Sequence, residues 1–271
     1  MSKPSIPQGT RDFSAATVRK RNYILNTIKS VFELHGFQPL ETPAMEQLQT
    51  LMGKYGEEGD RLIFKILNNG LYEKKDKATL QQAWEGILEK PSSSTLITER
   101  ALRYDLTIPF ARYVAMNFNE LAMPYKRYQM QPVWRADRPQ KGRYREFWQC
   151  DCDMVGSTSV FNEAELLAIY ARVFKQLGIP QISIKINNRK ILAAIAEFAG
   201  YEAQLTDITI ALDKLDKVGW DGVEKELLDR SILADGIEKI RMIVAIQGDH
   251  TLILQHLRKH LAHIPVGLLG I

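Results

Sequence analysis

Residues 125–156, YKRYQMQPVWRADRPQKGRYREFWQCDCDMVG, combine the strongest charge bias of the chain with its clearest two-residue periodicity. Residues 126–146 hold seven Lys or Arg and two Asp or Glu, a local charge of +5 in a chain whose net charge is +4. Two aromatic-rich apolar runs flank a segment with proline, glycine and arginine. This pattern predicts two antiparallel strands joined by a long basic hairpin loop, which is suited to binding phosphate groups.

Alternation along the predicted strands assigns their side chains to two faces, because successive side chains point to opposite sides of a sheet. On the first strand, Arg135 and Asp137 share a face opposite Trp134 and Ala136. On the second strand, one face is polar (Arg145, Phe147, Gln149, Asp151, Asp153) and the other is suited to the core (Trp148, Cys150, Cys152, Met154). The polar side of the second strand fits either a ligand site or an ordinary solvated side of an antiparallel sheet, and the pattern alone leaves both open.

The chain has 271 residues, of which 45% are hydrophobic, which suits one large domain or one large and one small domain. No run approaches the roughly 18 apolar residues that a spanning helix needs, and the N-terminus lacks the apolar segment of a signal peptide. A cytoplasmic protein without a membrane span is therefore expected.

Neither the two cysteines nor the five histidines predict a metal site or a disulfide. Cys150 and Cys152 are two residues apart on one strand face, which places them poorly for a disulfide, and we interpret them as buried small hydrophobes. His256 and His260 have helical i, i+4 spacing but no further ligands beside them.

Several other elements are predicted from local signals. A helix is expected after Ser14 and should end near Gly36. Residues 61–67, followed by Asn68-Asn69-Gly70, predict a hairpin. A strand is expected to place Arg103, Asp105 and Thr107 on one face before a helix that starts near Thr107 to Pro109, where Asp105 and Thr107 could also simply cap the helix. Further predictions are helices at 161–177 and 189–198 and a strand at 182–187.

Four stretches resemble the histidyl-tRNA synthetase family of class II aminoacyl-tRNA synthetases. Residues 134–156 are similar to the family's motif 2, with Asp137 where many members have Glu, and residues 35–43 resemble motif 1, whose proline matches Pro43. RYDLTIPFARY (103–113) resembles the segment that holds the ammonium group of the amino acid. DKLDKVGW (213–220) resembles the family's insertion between motifs 2 and 3.

The resemblance implies an α+β fold with a mostly antiparallel sheet flanked by helices and a helical insertion. It implies a catalytic core over residues 1–187 and a helical insertion subdomain over residues 188–271. It also implies a homodimer formed through the motif 1 region.

The implied activity is ATP-dependent activation of L-histidine and its transfer to the acceptor end of tRNA(His), with Mg²⁺ accompanying the triphosphate. By resemblance Arg135 bridges the α-phosphate and the histidine carboxylate and is the catalytic residue. The other implied contacts are, for ATP, Asp137, Arg143 and Phe147; for histidine, Asp105, Thr107, Gln149 and Asp153; and for tRNA, Arg138, Gln140 and Arg145.

No segment matching motif 3, the family's Arg-Gly-Leu-x-Tyr-Tyr stretch or an anticodon-binding domain is found in these residues. The expectation is therefore an N-terminal part of the catalytic region that forms no adenylate by itself. Two alternatives are a regulatory subunit of ATP phosphoribosyltransferase, which binds histidine without aminoacylation, and a domain that senses uncharged tRNA. Arg135, Arg143, Phe147 and the basic loop favour the ligase, because neither alternative needs an intact ATP site.

Overall fold

The computed structural model describes residues 3–54, 56–89 and 94–271. The chain divides into two compact units, Met1–Ile182 and Ser183–Ile271. The first unit contains, in order, α1 (Ala15–Leu34), β1 (Gln38–Pro39), β2 (Met45–Gln47), α2 (Leu48–Leu51), α3 (Gly56–Arg61), β3 (Lys65–Ile66), a 3-10 turn (Leu71–Glu73), α4 (Lys77–Glu89), β4 (Arg100–Leu102), α5 (Thr107–Asn117), β5 (Tyr125–Trp134), β6 (Glu146–Val155) and α6 (Phe161–Gln176).

Two three-stranded sheets organise the described part of the first unit. One has the order β1-β5-β6 and the other the order β2-β4-β3. β5 and β6 pair antiparallel over ten residue pairs, from Tyr125–Val155 to Trp134–Glu146, whereas β1 pairs parallel with β5. The mostly antiparallel α+β fold and the long hairpin are thus confirmed, and β5 ends at Trp134, one residue before Arg135.

The apolar face of the hairpin packs against α1 and α6, as the alternation predicts, except that Trp148 is exposed and lies outside this core. The buried residues of this core are Val31, Phe32, Phe37, Tyr128, Ile169 and Val173, with Met130, Cys150, Cys152 and Met154 packed against them. Helix α1 begins after the N-cap Ser14 and ends before Gly36, which adopts φ +76°. Burial raises the pKa of both the Cys150 and Cys152 thiols to about 11, so they behave as inert core groups.

A fully buried arginine joins the two sheets. Arg103 follows β4 and donates from Nε and Nη2 to the Pro132 carbonyl of β5, at 3.1 and 3.0 Å. Its Nη1 donates to the Thr42 carbonyl at 2.5 Å and to Gln131 Oε1 at 3.0 Å. One guanidinium therefore fixes the segment after β1 against β5 by satisfying several buried acceptors at once.

Three local predictions are wrong. The turn at Gly70 leads into the 3-10 turn and not into a returning strand, since β3 pairs with the much later β4. The strand expected through Thr107 ends at Leu102, and Thr107 is the first residue of α5. Residues 182–187 alternate as a strand would, but they are exposed and pair with no strand in the described ranges.

The second unit is helical in the described chain. It contains α7 (Arg189–Ala199), a 3-10 turn (Glu202–Gln204), α8 (Leu205–Leu212), α9 (Leu215–Asp229), α10 (Ala234–Val244), α11 (His250–Leu261) and α12 (Pro265–Gly270). Asn188 caps α7, and α9 is kinked at Gly219, whose φ is 69°. Apolar faces of these helices form one core that includes Ile208, Leu227, Ile240 and Leu261. No helix in the described ranges is long and apolar enough to cross a membrane.

Candidate amino-acid and nucleotide site

Polar side chains pair across the two long strands on one side of the hairpin. Arg127 lies opposite Asp153, Gln129 opposite Asp151, and Gln131 opposite Gln149. We call this set of six residues the polar face. The sequence predicts the β6 half of this face. The β5 half was not among the predicted site residues, although the alternating Arg-x-Gln-x-Gln of residues 127–131 carries the necessary signal.

Burial shapes the electrostatics of the polar face. Burial raises the pKa of Asp151 to about 6, while Arg127 opposes the shift. Burial likewise raises the pKa of Asp153, against the opposing charge of Arg127. The negative charge of Asp105 raises the pKa of both carboxyl groups further. Carboxylates held in such an unfavourable environment are more typical of functional sites than of structural ones.

Buried polar atoms without a hydrogen-bond partner are concentrated on the polar face. Among the described residues seven such side-chain atoms occur, and five belong to Arg127, Gln129, Gln149 and Asp153. Asp153 Oδ2 lies 2.7 Å from Arg127 Nη2, an ion pair whose angles fall outside those of a hydrogen bond. Because most buried polar groups in proteins are satisfied, this concentration indicates a surface built to meet a polar ligand or water.

Arg135 lies just beyond β5, at the edge of the polar face. Its backbone N–H donates to the Arg145 carbonyl at 2.9 Å, and its Nε donates to the Tyr104 carbonyl at 2.9 Å. Its guanidinium carbon lies 5.1 Å from the centre of the Phe147 ring. Two backbone anchors and a ring contact preorganise the cation, while its Nη donors remain available for an anion.

Asp105 and Thr107 occupy the start of α5. Asp105 is buried, and its Oδ1 accepts a hydrogen bond from the Ile108 N–H at 3.2 Å, so it does cap this helix. Thr107 is exposed as the first residue of the helix. Asp105 interacts electrostatically with Asp151 and Asp153, so the structure brings it together with the polar face.

The other predicted residues lie in the basic loop, residues 135–145. Arg138, Gln140 and Arg143 are exposed, and the backbones of Gln140 and Arg143 bond to each other in a tight turn. Gly142 within this turn has φ +82°, a conformation that favours glycine. The loop therefore presents its cations to solvent, beyond the ends of the strands.

The N-terminal segment packs against the basic loop. The Gly9 carbonyl accepts from the Arg145 N–H at 2.8 Å, and Arg145 Nε donates to the Asp137 carbonyl at 3.1 Å. The Arg11 guanidinium lies 3.6 Å from the centre of the Tyr144 ring. A Cβ on Gly9 would lie 2.8 Å from Arg145 Cγ, so glycine permits this close approach.

The described residues contain no group of three His, Cys, Asp or Glu side chains arranged to hold a metal ion. His256 and His260 both lie on α11, and His260 forms an edge contact with the Phe198 ring.

Sequence comparisons relate this chain to histidyl-tRNA synthetases. A sequence profile described as histidyl-tRNA synthetase matches residues 94–266. A histidine–tRNA ligase from Christiangramia forsetii is 53% identical over 270 residues, which cover 99% of this chain and 58% of that protein. A ligase of the same name from Bacteroides fragilis is 53% identical over 272 residues, covering 100% of this chain and 58% of that protein. The chain thus spans about 58% of the length of these curated relatives.

Solved structures agree with the sequence comparisons. The crystal structure of a histidyl-tRNA synthetase from Nostoc sp. PCC 7120 superposes with a TM-score of 0.79 at 30% identity, covering 100% of this chain and 56% of that chain. A structure from Bacillus halodurans, described as an ATP phosphoribosyltransferase regulatory subunit/histidyl-tRNA synthetase, has a TM-score of 0.72 at 19% identity, covering 96% of this chain and 60% of that chain. The second similarity concerns the fold alone.

Proposed function

This chain belongs to the histidyl-tRNA synthetase family, and from that premise we propose that it carries the histidine- and ATP-binding part of a histidine–tRNA ligase. The reaction joins the carboxylate of L-histidine to the α-phosphate of ATP with release of pyrophosphate, and it then transfers the histidyl group to a hydroxyl of tRNA(His) with release of AMP. The observation that carries the proposal is the polar face, with its raised carboxylate pKa values and unpartnered buried atoms beside Arg135.

For the nucleotide, we assign Arg135 to the α-phosphate and the histidine carboxylate. A planar guanidinium suits this role, because it stays charged and offers several fixed donors to the negative charge that develops between two anions. Phe147 stacks on the adenine, while Asp137 and Arg143 complete the ATP contacts. Mg²⁺ arrives with the triphosphate, which fits the donor set, since Mg²⁺ is commonly held by phosphates, water and one or two carboxylates.

For the amino acid, we assign Asp105, Thr107 and Gln149 to the ammonium group and Asp153 to an imidazole N–H. An ammonium group has three donors and no acceptor, which matches carboxylate, hydroxyl and amide oxygens. Gln149 Oε1 is buried without a partner in the described residues, as such a role requires. The exposed Arg138 and Gln140 and the half-buried Arg145 contact the tRNA acceptor end.

The assembly and location follow the same premise. We propose a homodimer through α1 and the segment that follows it, where Val18, Tyr23, Ile24 and Leu34 are exposed apolar residues on α1. The cytoplasm, where tRNA is charged, is the proposed location. We retain residues 1–187 and 188–271 as the catalytic core and the helical insertion.

The test uses a chimaera in which this chain replaces the matching residues of the Bacteroides fragilis ligase. The assay is histidine-dependent ATP–pyrophosphate exchange. Exchange should occur and should fall by about 10²-fold or more in an Arg135→Ala variant. In the same chimaera, Arg138→Ala with Gln140→Ala should reduce transfer to tRNA far more than exchange. The 271 residues alone should show no measurable exchange, because Arg135 and Arg143 are the two cations assigned to the triphosphate in them.

Histidine binding without exchange in the chimaera would support the alternative of a regulatory subunit that aminoacylates nothing. Exchange by the isolated 271 residues within tenfold of the chimaera would show that these residues already contain every cation the reaction needs.

A further inference from the structure

Arg127 is the buried cation of the polar face. It is fully buried in the middle of β5, with Nη2 2.7 Å from Asp153 Oδ2. Nη2 also donates to the Leu106 carbonyl at 3.2 Å, and the guanidinium carbon lies 4.4 Å from the centre of the Phe110 ring. These contacts hold one nitrogen of the guanidinium in place. The carbonyl that it contacts belongs to Leu106, the residue immediately before α5.

The remaining donors of Arg127 are not used by the described part of the chain. Nε and Nη1 are both buried and lack a hydrogen-bond partner there. The carboxylates that interact with Arg127 are Asp153 and Asp151, and Asp105 interacts with both of these. Two carboxylates therefore act directly on one interior guanidinium and a third interacts with both of them, while among the described residues the guanidinium donates to one neutral acceptor, the Leu106 carbonyl.

We propose that Arg127 is a specificity-determining positioning residue that sets the net charge of the amino-acid pocket and thereby disfavours lysine and arginine relative to histidine. The inference rests on the proposed function, in which the pocket binds histidine through Asp105 and Asp153. Arg127 acts through these carboxylates, because its ion pair with Asp153 holds one oxygen and leaves the other for the substrate.

The physical reason is charge balance in a poorly solvated pocket. Every amino acid brings an ammonium group, which one carboxylate compensates. Arg127 compensates a second carboxylate, so that one of the three carboxylates, and not two, remains to attract a cationic side chain. A neutral imidazole can still donate its N–H to Asp153. Lysine and arginine would instead place a second cation beside Arg127, and like charges at such distances repel strongly where water is scarce.

The experiment measures equilibrium binding of L-histidine, L-lysine and L-arginine to the 271-residue chain by NMR titration at millimolar amino acid. Arg127→Met should shift the ratio of histidine to lysine affinity toward lysine by at least tenfold. Arg127→Lys, which keeps the charge, should retain most of the wild-type ratio. Lys126→Met is the matched control, because it removes the same charge from the next residue, where Lys126 pairs with Glu165 on the opposite face. Its ratio should equal that of the wild type.

A second variant keeps the test decisive if Arg127→Met does not fold. Asp151→Asn leaves Arg127 in place and removes one negative charge, so it should shift the ratio in the opposite direction, toward histidine. Combining Arg127→Met with Asp151→Asn should return the ratio toward the wild-type value.

The outcomes separate the two proposals. If wild-type chain binds histidine and the variants weaken all three amino acids equally, Arg127 has only a structural role and this inference is overturned. An unchanged ratio in Asp151→Asn would overturn it as well. If the wild-type chain does not bind histidine at all, the proposed function fails and takes this inference with it.

Discussion

Arg103 and Arg127 are both fully buried arginines next to β5, yet their surroundings differ in kind. Arg103 donates to backbone carbonyls, one amide oxygen and the Thr42 hydroxyl, none of which titrates, while Glu46 and Glu41 interact with it electrostatically. Arg127 faces carboxylates, and two of its nitrogens have no partner in the described residues. Burial lowers the pKa of both guanidiniums. A buried cation whose hydrogen bonds go to neutral acceptors stabilises the fold. A buried cation beside carboxylates instead makes stability and binding depend on pH and on the charge of the ligand.

The largest effect should follow from removing Arg103. Arg103→Leu should lower the free energy of unfolding by about 3 to 5 kcal/mol, because several buried acceptors lose their donor together. Urea denaturation at pH 5 and pH 8 should give the same loss, and Arg103→Lys should recover part of it. A loss that varied strongly with pH would break the comparison between the two arginines.

Removing Arg127 should cost less and should depend on pH. Arg127→Met should lower the free energy of unfolding by about 2 to 3 kcal/mol at pH 8, since Asp153 remains partly exposed. Burial already raises the pKa of Asp151 to about 6, and the loss of Arg127 would raise it further. For a carboxyl group with a raised folded-state pKa, stability is full at low pH and declines as pH rises through that pKa. The deficit of the variant should therefore shrink at pH 5, and equal deficits at both pH values would contradict this account.

Asp153, the ion-pair partner of Arg127, should also contribute to histidine binding. Asp153→Ala should weaken histidine binding by about 2 kcal/mol, or roughly 30-fold, because a charged hydrogen bond is lost. Asp216→Ala provides the control, since this carboxylate is exposed and belongs to the second unit, where it pairs with Lys185 of the same unit. Calorimetric or NMR titration with histidine measures both, and unchanged affinity in Asp153→Ala would remove Asp153 from the site.

The smallest effect should be a gain in stability. Asp151→Asn should raise the free energy of unfolding by about 1 kcal/mol at pH 7, after allowance for solvent screening, because ionising Asp151 in its buried position is unfavourable. The gain should fall as the pH drops below about 6 and should be much smaller near pH 4, where the wild-type carboxyl group is protonated in the folded state and about half ionised in the unfolded state. Chemical denaturation at pH 4 and pH 7 tests the sign, and a loss of stability at pH 7 would contradict it.

The hairpin could be predicted from sequence because its signals are local. Alternation over residues 146–155 correctly assigns Cys150, Cys152 and Met154 to the packed face of β6 but wrongly includes Trp148, which is exposed. Ser14 and Gly36 mark the ends of α1. The Asn69-Gly70 signal failed for the opposite reason, because β3 takes its partner from β4 rather than from the next segment. Local turn chemistry cannot reveal which distant strand will pair.

The site residues remain predictions. The resemblance implies roles for Arg135, Gln149 and Asp153, but it assigns none to Arg127 or Arg103. Alternation places Arg127 on the polar face, yet its burial depends on Leu106 and Phe110, which approach from another part of the chain. Arginine is mostly exposed in proteins, so a pattern of residues alone does not predict two that are fully buried.

The parallel pairing of β1 with β5 also constrains the order of events during synthesis. Residues 38–39 pair with residues 127–128, so α1 leaves the ribosome long before the sheet on which it packs. Until then Val31, Phe32 and Phe37, which are buried in the finished fold, have no partner surface. Non-local pairing of this kind slows folding and prolongs the exposure of apolar side chains. The nascent N-terminal segment therefore exposes these apolar side chains until the residues of β5 and β6 have been synthesised.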